Sequence, residues 1–318
     1  MGIHREMASQ LYIEVEATPG TAVFNTGAPP TSAEILIDAY DIEFSPDWGE
    51  FERSSVGGTL QKRPGVITIQ KAAINFKCLL KGGSAAGVAP GIGVLFRAAG
   101  YSETIVASTS VTYKRVAIAS YERFTIGVNK DGQCYSLSGG MLDIVVTCVD
   151  GEPVQMECAA MGKWEAPFAL AVITPAADTI LPPAFKGVGL AHGGDADLVF
   201  ANLTMNLGNN VIVRQNANDT TGLETALVTD ARPTVSIDPE LEDIGDKDWF
   251  TEASAKAIVD LSWAVGTGAG LICTATAQVA PKAPTFGERD LITILNQELE
   301  VVAETDDVEG EDLQFVFT

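Results

Sequence analysis

Acid–base chemistry at neutral pH starts with histidine, and this chain has two, His4 and His192, 188 residues apart. A nucleophilic triad needs a histidine between a serine and a carboxylate. His4 lies in a terminal stretch and His192 in a glycine-rich turn, and neither has a promising neighbour. Ser84 sits in Gly82-Gly83-Ser84-Ala85-Ala86-Gly87, which does not fit the G-x-S-x-G elbow and reads as a turn. The glycine stretch 82–93 precedes a predicted helix, as phosphate-binding loops do. It lacks the lysine of G-x-x-x-x-G-K-[ST], and its surroundings are not a parallel βαβ unit. No catalytic residue and no cofactor are therefore expected.

Two acidic clusters could hold a hard cation through oxygen ligands. One runs over Asp238–Glu252 and the other over Glu304–Asp312. Neither has EF-hand spacing, so both read as solvated loops and no metal site is expected. Paired carboxylates of a glycoside hydrolase would come with aromatic platforms, and aromatics are only 7% of this chain. The five cysteines (78, 134, 148, 158, 273) form no C-x-x-C. The odd count and the lack of a recognisable signal peptide imply reduced thiols made in a cytoplasm. Cys78, Cys148 and Cys158 fall in apolar strand patterns and are expected in the core.

The charge is large and uneven. Residues 1–160 carry 17 acids and 12 bases, a net of −5; residues 161–318 carry 25 acids and 8 bases, a net of −17. Such a surface repels a phosphate backbone. The bases form no stripe and no aromatics interleave them, so nucleic-acid readout is not expected. The densest basic group, Lys62-Arg63 with Lys71, Lys77 and Lys81, is expected to meet acidic patches on a neighbouring subunit. No apolar run reaches 18 residues, so no membrane-spanning helix is expected.

Elements follow from short apolar runs punctuated by 31 glycines and 15 prolines, a β-rich pattern without long amphipathic helices. Residues 1–32 read as an arm with little core pattern. A strand over 34–44 enters a turn at Ser45-Pro46-Asp47, and 45–65 reads as a long connection closing at Arg63-Pro64-Gly65. Strand 66–80 follows, then a helix over 92–99. A meander comes next: 121–128 and 133–137 around a four-residue loop, Asn129–Gly132, then 141–149 and 152–161 around Asp150-Gly151. Residues 165–185, with four prolines, read as a linker.

The second half echoes the first. A strand over 197–207 mirrors the entry strand, and a polar loop through Asn209, Asn216 and Asn218 mirrors the long connection. Arg232-Pro233-Thr234-Val235-Ser236-Ile237 then matches Arg63-Pro64-Gly65-Val66-Ile67-Thr68-Ile69, one residue shorter. A helix over 248–257 and strands over 258–265, 271–279, 291–302 and 313–317 complete the pattern. The reading is all-β with minor α, in two related domains, 33–165 and 186–318, joined by a linker over 166–185.

The chain resembles the tail tube proteins of long-tailed bacteriophages. The likeness rests on Glu16-Ala17-Thr18-Pro19-Gly20-Thr21 in the entry, the loop-strand-helix stretch 53–104, and Asn202–Leu207 followed by Arg232-Pro233. The closing strands of 286–317 add to it. The resemblance implies β-sandwich domains, each with a flanking helix, in rings whose sheets line a lumen for DNA passage. Single-domain members form six-subunit rings, so a fused duplicate implies three chains per ring. It also implies a tape measure protein, a tail terminator and distal tail proteins as partners, a place in the virion tail, and synthesis in the host cytoplasm. A terminator or distal-tail ring, and a carbohydrate-binding β-sandwich, are the alternatives. On loop position and residue type, Trp48, Phe51, Arg53, Lys62 and Arg63 are expected at inter-ring or intersubunit contacts.

Overall fold

The computed structural model describes residues 9–53, 63–195, 198–302 and 313–318. The first half supplies β1 (Ser9–Val15), β2 (Tyr40–Phe51), β3 (Val66–Leu79), α1 (Gly93–Ala98), β4 (Tyr101–Val106), β5 (Ser110–Arg115), β6 (Phe124–Lys130), β7 (Gln133–Val149) and β8 (Gln155–Ala169). The second supplies β9 (Ala191–His192), β10 (Asn202–Asn206), β11 (Asn209–Gln215), β12 (Leu223–Ala231), β13 (Thr234–Ile237), α2 (Trp249–Ala255), β14 (Val259–Val265), β15 (Cys273–Pro281), β16 (Thr285–Arg289), β17 (Ile292–Val301) and β18 (Leu313–Phe317). The chain is all-β with minor α.

One continuous ladder runs β2-β3-β8-β7-β10-β13-β17-β15-β18-β5-β4, with antiparallel neighbours throughout. It leaves the first half at β7–β10, where Val149 faces Asn202, and returns at β18–β5, where Phe317 faces Val111. A single core cluster draws from both halves, from Ile74 and Phe76 through to Leu299 and Phe317. At the second seam α1 lays Phe96 against Tyr113 at 5.1 Å and Phe315 at 4.7 Å between ring centroids. The predicted helix thus exists, with Leu95, Phe96 and Ala98 buried. Gly93 is required there, since a Cβ would come within 2.0 Å of the Tyr113 hydroxyl. Gly100 follows α1 at φ 90°, the left-handed residue that ends a helix.

Several elements differ from the sequence expectation. Ser45-Pro46-Asp47 is not a turn: Ser45, Pro46 and Asp47 pair with Ala73, Ala72 and Lys71 within the hairpin β2–β3. Pro46 is tolerated because β2 is the last strand of the ladder and one of its edges needs no donors. The expected long loop shrinks to 52–65, of which 54–62 lie outside the described residues. Strands 133–137 and 141–149 are one strand, β7, irregular at Ser138–Met141. There Gly139 takes φ 57° and donates its N–H to the buried Glu16 carboxylate at 2.6 Å.

The loop Asn129–Gly132 is a two-residue turn. Lys130 pairs with Gln133, and Asp131 and Gly132 take φ 46° and 101°, the backbone that matches strand twist. Past Asp150-Gly151 the ladder resumes only at Gln155. Phe185 fills the gap, accepting from Gly151 N at 2.9 Å and donating to Glu152 O at 2.7 Å. The expected polar loop through Asn209, Asn216 and Asn218 begins as strand β11, Asn209–Gln215, whose centre is the apolar run Val211-Ile212-Val213. Residues 165–169 extend β8 rather than beginning a linker. Part of the expected arm is sheet: β1 pairs with β6, and Leu11, Tyr12 and Ile13 are buried. All five cysteines are buried and unpaired, Cys134 and Cys273 included.

Candidate assembly surface

The end of the β2–β3 hairpin carries the residues singled out from the sequence. Glu50 pairs with Ile67 and Phe51 with Val66, so neighbouring pairs point to opposite faces of the hairpin. Phe51, Val66 and Ile67 are 65%, 50% and 53% exposed, which leaves this end apolar on both faces. Trp48 lies on β2 rather than in a loop, and its ring meets Trp164 edge-on at 5.2 Å. Arg53 and Arg63 are exposed where the described parts of the connection begin and resume. Lys62 lies outside the described residues. The structure thus brings Trp48, Phe51, Arg53 and Arg63 to one hairpin end and adds Val66 and Ile67. The sequence marks Val66 and Ile67 only as the start of a strand; their signal was an apolar pair directly after a charged connection.

The other bases of this region are satisfied within the chain, against expectation. Lys71 pairs with Asp47 at 3.0 Å and Lys77 with Glu157 at 2.9 Å. Lys81 is buried between Asp38 and Asp178. Antiparallel pairing fixes the first two, and Lys81 holds the irregular stretch after β8 against the segment before β2.

The hairpin β11–β12, which stands where the sequence suggests a polar loop, is covered. Val213, Leu223, Ala226 and Val228 pack on Met141 of β7, with Met161 and Ile69 beside them. A hairpin of the second half therefore docks on a sheet face of the first.

A second exposed apolar surface surrounds β16–β17. Arg289 pairs with Ile292, and Asp290-Leu291 form a two-residue turn at φ 50° and 67°. Such a turn favours Asn-Gly. A left-handed backbone costs a leucine about 1–2 kcal/mol, and Leu291 is 90% exposed. Ile292 and Ile244 are also exposed, and Phe286 faces Phe250 of α2 at 5.8 Å. The sequence reading treated Leu291 as the start of a strand and missed this turn, since Asp-Leu is not turn chemistry.

Acids of the 238–252 cluster are engaged locally. Asp238 and Glu240 hold Arg289 at 2.9 and 2.8 Å, and Asp238 also accepts from the N–H groups of Ala201 and Asn202. Asp248 caps α2 by accepting from Phe250 N and Thr251 N. Glu252 and Asp195 hold Lys247 at 2.7 and 2.8 Å. Among the described residues no group of three or more His, Cys, Asp or Glu is placed for a metal, and 304–312 lie outside them.

His192 is in the core, not on a surface turn. Its Nδ1 is 3.1 Å from Lys247 Nζ, and its ring lies 4.6 Å from Trp249. Burial, and then the Lys247 charge, push its pKa down to about 4, so it is neutral at pH 7 and accepts from the lysine. Burial opposes the charge of Lys247, but the two carboxylates outweigh that and its pKa is raised. Glu16 is raised by burial, against the hydrogen bonds from Gly139, Gly20 and Thr125. Both clusters pin elements together: His192–Lys247 seats α2 on β9, and Glu16 seats the chain after β1 on β7.

No curated protein sequence matches the chain significantly. A family model described as phage tail tube protein matches residues 8–303.

Proposed function

Because this chain belongs to the phage tail tube protein family, a structural family of the virion tail rather than one of enzymes, we propose that three copies close a ring and that rings stack into a tube for DNA. The observation that carries this is the open hairpin end. β2 is the last strand of the ladder, long and, among the described residues, unpaired on one side, and it presents Trp48 and Phe51 to solvent. An exposed edge of this kind invites pairing with another chain, and closure into a ring removes such edges. The far end of the ladder, β4, likewise has no partner on one side among the described residues and exposes Ile105 and Val106.

The paired build of the molecule supports three chains rather than six. Each half contributes a hairpin, then a short helix, then further strands. This supports two tube-type domains in one chain, 33–165 and 186–318, with 166–185 between them. Three such chains supply six domains. The net charge of −22 suits a lumen that repels the phosphate backbone and lets DNA slide. Trp48, Phe51, Arg53, Lys62 and Arg63 make the contacts between subunits or rings. Tape measure, terminator and distal tail proteins are the expected partners, and the chain is made in the host cytoplasm before it joins the tail.

Negative-stain microscopy and native mass measurement of the purified protein test this. Long tubes built of three-chain rings are expected. Six chains per ring would overturn the duplicate arithmetic, and discrete rings that never polymerise would mark a capping protein instead. Trp48→Ala with Phe51→Ala should abolish polymerisation; unchanged tubes would remove the hairpin end from the interface.

A further inference from the structure

We propose that the tip of the β16–β17 hairpin is the receptor for the β2–β3 hairpin end of a second copy of this chain, an inference that rests on the ring assembly above. The tip holds Leu291 in a left-handed turn position and almost wholly in solvent. A leucine there works against the turn and buries nothing within its own chain. Backbone held in a sparse region is characteristic of sites whose gain lies elsewhere. Ile292 beside it and Ile244 are exposed as well, and further down the same hairpin the exposed Phe286 faces the ring of Phe250.

The occupant follows from shape and charge. The β2–β3 end is apolar on both faces and flanked by the exposed cations Arg53 and Arg63. The receptor hairpin itself carries the exposed acids Glu288 and Asp290, and the segment before α2 adds the exposed Asp243 and Asp246. Opposite charges around apolar centres set register and favour encounter. Docking of a hairpin on a sheet face is also how β11–β12 joins the two halves inside the chain. Because arm and receptor are different surfaces of one molecule, the contact is head-to-tail, which is the type that closes rings.

Two measurements test the pairing. Leu291→Asn puts a residue that tolerates the left-handed turn in place of the apolar one. Its melting temperature should be unchanged or raised, while the concentration needed for assembly rises by about tenfold or more, as for a central anchor. Unchanged assembly would overturn the proposal. The second uses the burial of all five native cysteines, which leaves an introduced thiol as the reactive one. Glu52→Cys and Thr293→Cys chains, prepared separately, mixed and oxidised, should give a crosslinked dimer that neither gives alone. No mixed dimer, or dimers of Thr293→Cys alone, would overturn the head-to-tail pairing. If tubes still form in either failure, the tube reading stands without this contact. If the unmodified chain forms neither rings nor tubes, the tube reading itself falls.

Discussion

The hairpins β2–β3 and β11–β12 are built alike and end differently. Each is a pair of antiparallel strands whose register is interrupted by bulges or irregularities. The β11–β12 hairpin lies on β7 and β8 and buries Leu223 and Ala226 completely. The β2–β3 hairpin is buried at its base, where Ile74 and Ala72 are inaccessible, and exposed at its end. One hairpin finds its surface within the chain. The other leaves apolar residues in water that no part of the described chain covers. The difference teaches that one hairpin, laid on a sheet face, serves folding, while the other extends the ladder and leaves its end available for assembly.

The comparison breaks first at the covered hairpin. Leu223→Ala should destabilise the chain by about 2–5 kcal/mol, measured by chemical denaturation, because a wholly buried leucine leaves a cavity. A loss below about 1 kcal/mol would mean that β11–β12 is not part of the cooperative core.

Acid should loosen the second half next. The folded pKa of His192 lies below its ordinary value of 6.5, so the unfolded chain takes up the proton first as pH falls. The stability from the neutral histidine is full above about pH 6.5 and is lost progressively down to about pH 4. At pH 5 the loss should be about 2 kcal/mol relative to pH 7, at 1.36 kcal/mol per pH unit. Denaturation midpoints at the two pH values check this, and His192→Gln should flatten the dependence. An equal pH dependence in that variant would point to other groups.

A smaller effect is expected at α2. Asp248→Ala removes the side chain that accepts from Phe250 N and Thr251 N, at a cost of about 1 kcal/mol. The smallest concerns the exposed hairpin. Phe51→Ala in the unassembled chain should change stability by less than about 0.5 kcal/mol, since the ring is mostly in solvent. A large loss there would mean that Phe51 packs within its own chain and would erase the contrast between the hairpins.

Much of the fold was legible because local chemistry agreed with it. The strand Val66–Leu79, the helix Gly93–Ala98 and the last strand Leu313–Phe317 all lie where periodicity put them. The failures have a common cause. Pro46 looked like a turn because proline removes a donor, and only the position of β2 at the end of the ladder makes that harmless. Asn209 and its neighbours looked like a loop because polar residues masked Val211 and Val213. Phe185 stands in the ladder gap beside Glu152 across 33 residues of sequence, which no local pattern encodes. Of the expected contact residues, Trp48 and Phe51 were visible as aromatics near charges, but their neighbours Val66 and Ile67 read only as the start of a strand.

The sequence by itself determined the class: many short strands, few helices, buried thiols, an acidic surface and a likeness to tail tube proteins. Those properties are set by composition and by patterns within ten or twenty residues. Only the tertiary structure decided which apolar runs are covered. β18 closes the ladder between β15 and β5, and β11–β12 covers the first half, because partners far apart in sequence meet there. Burial depends on those partners, so the exposed end of β2–β3 and the strained Leu291 could be recognised only after every other hydrophobic surface had found its place.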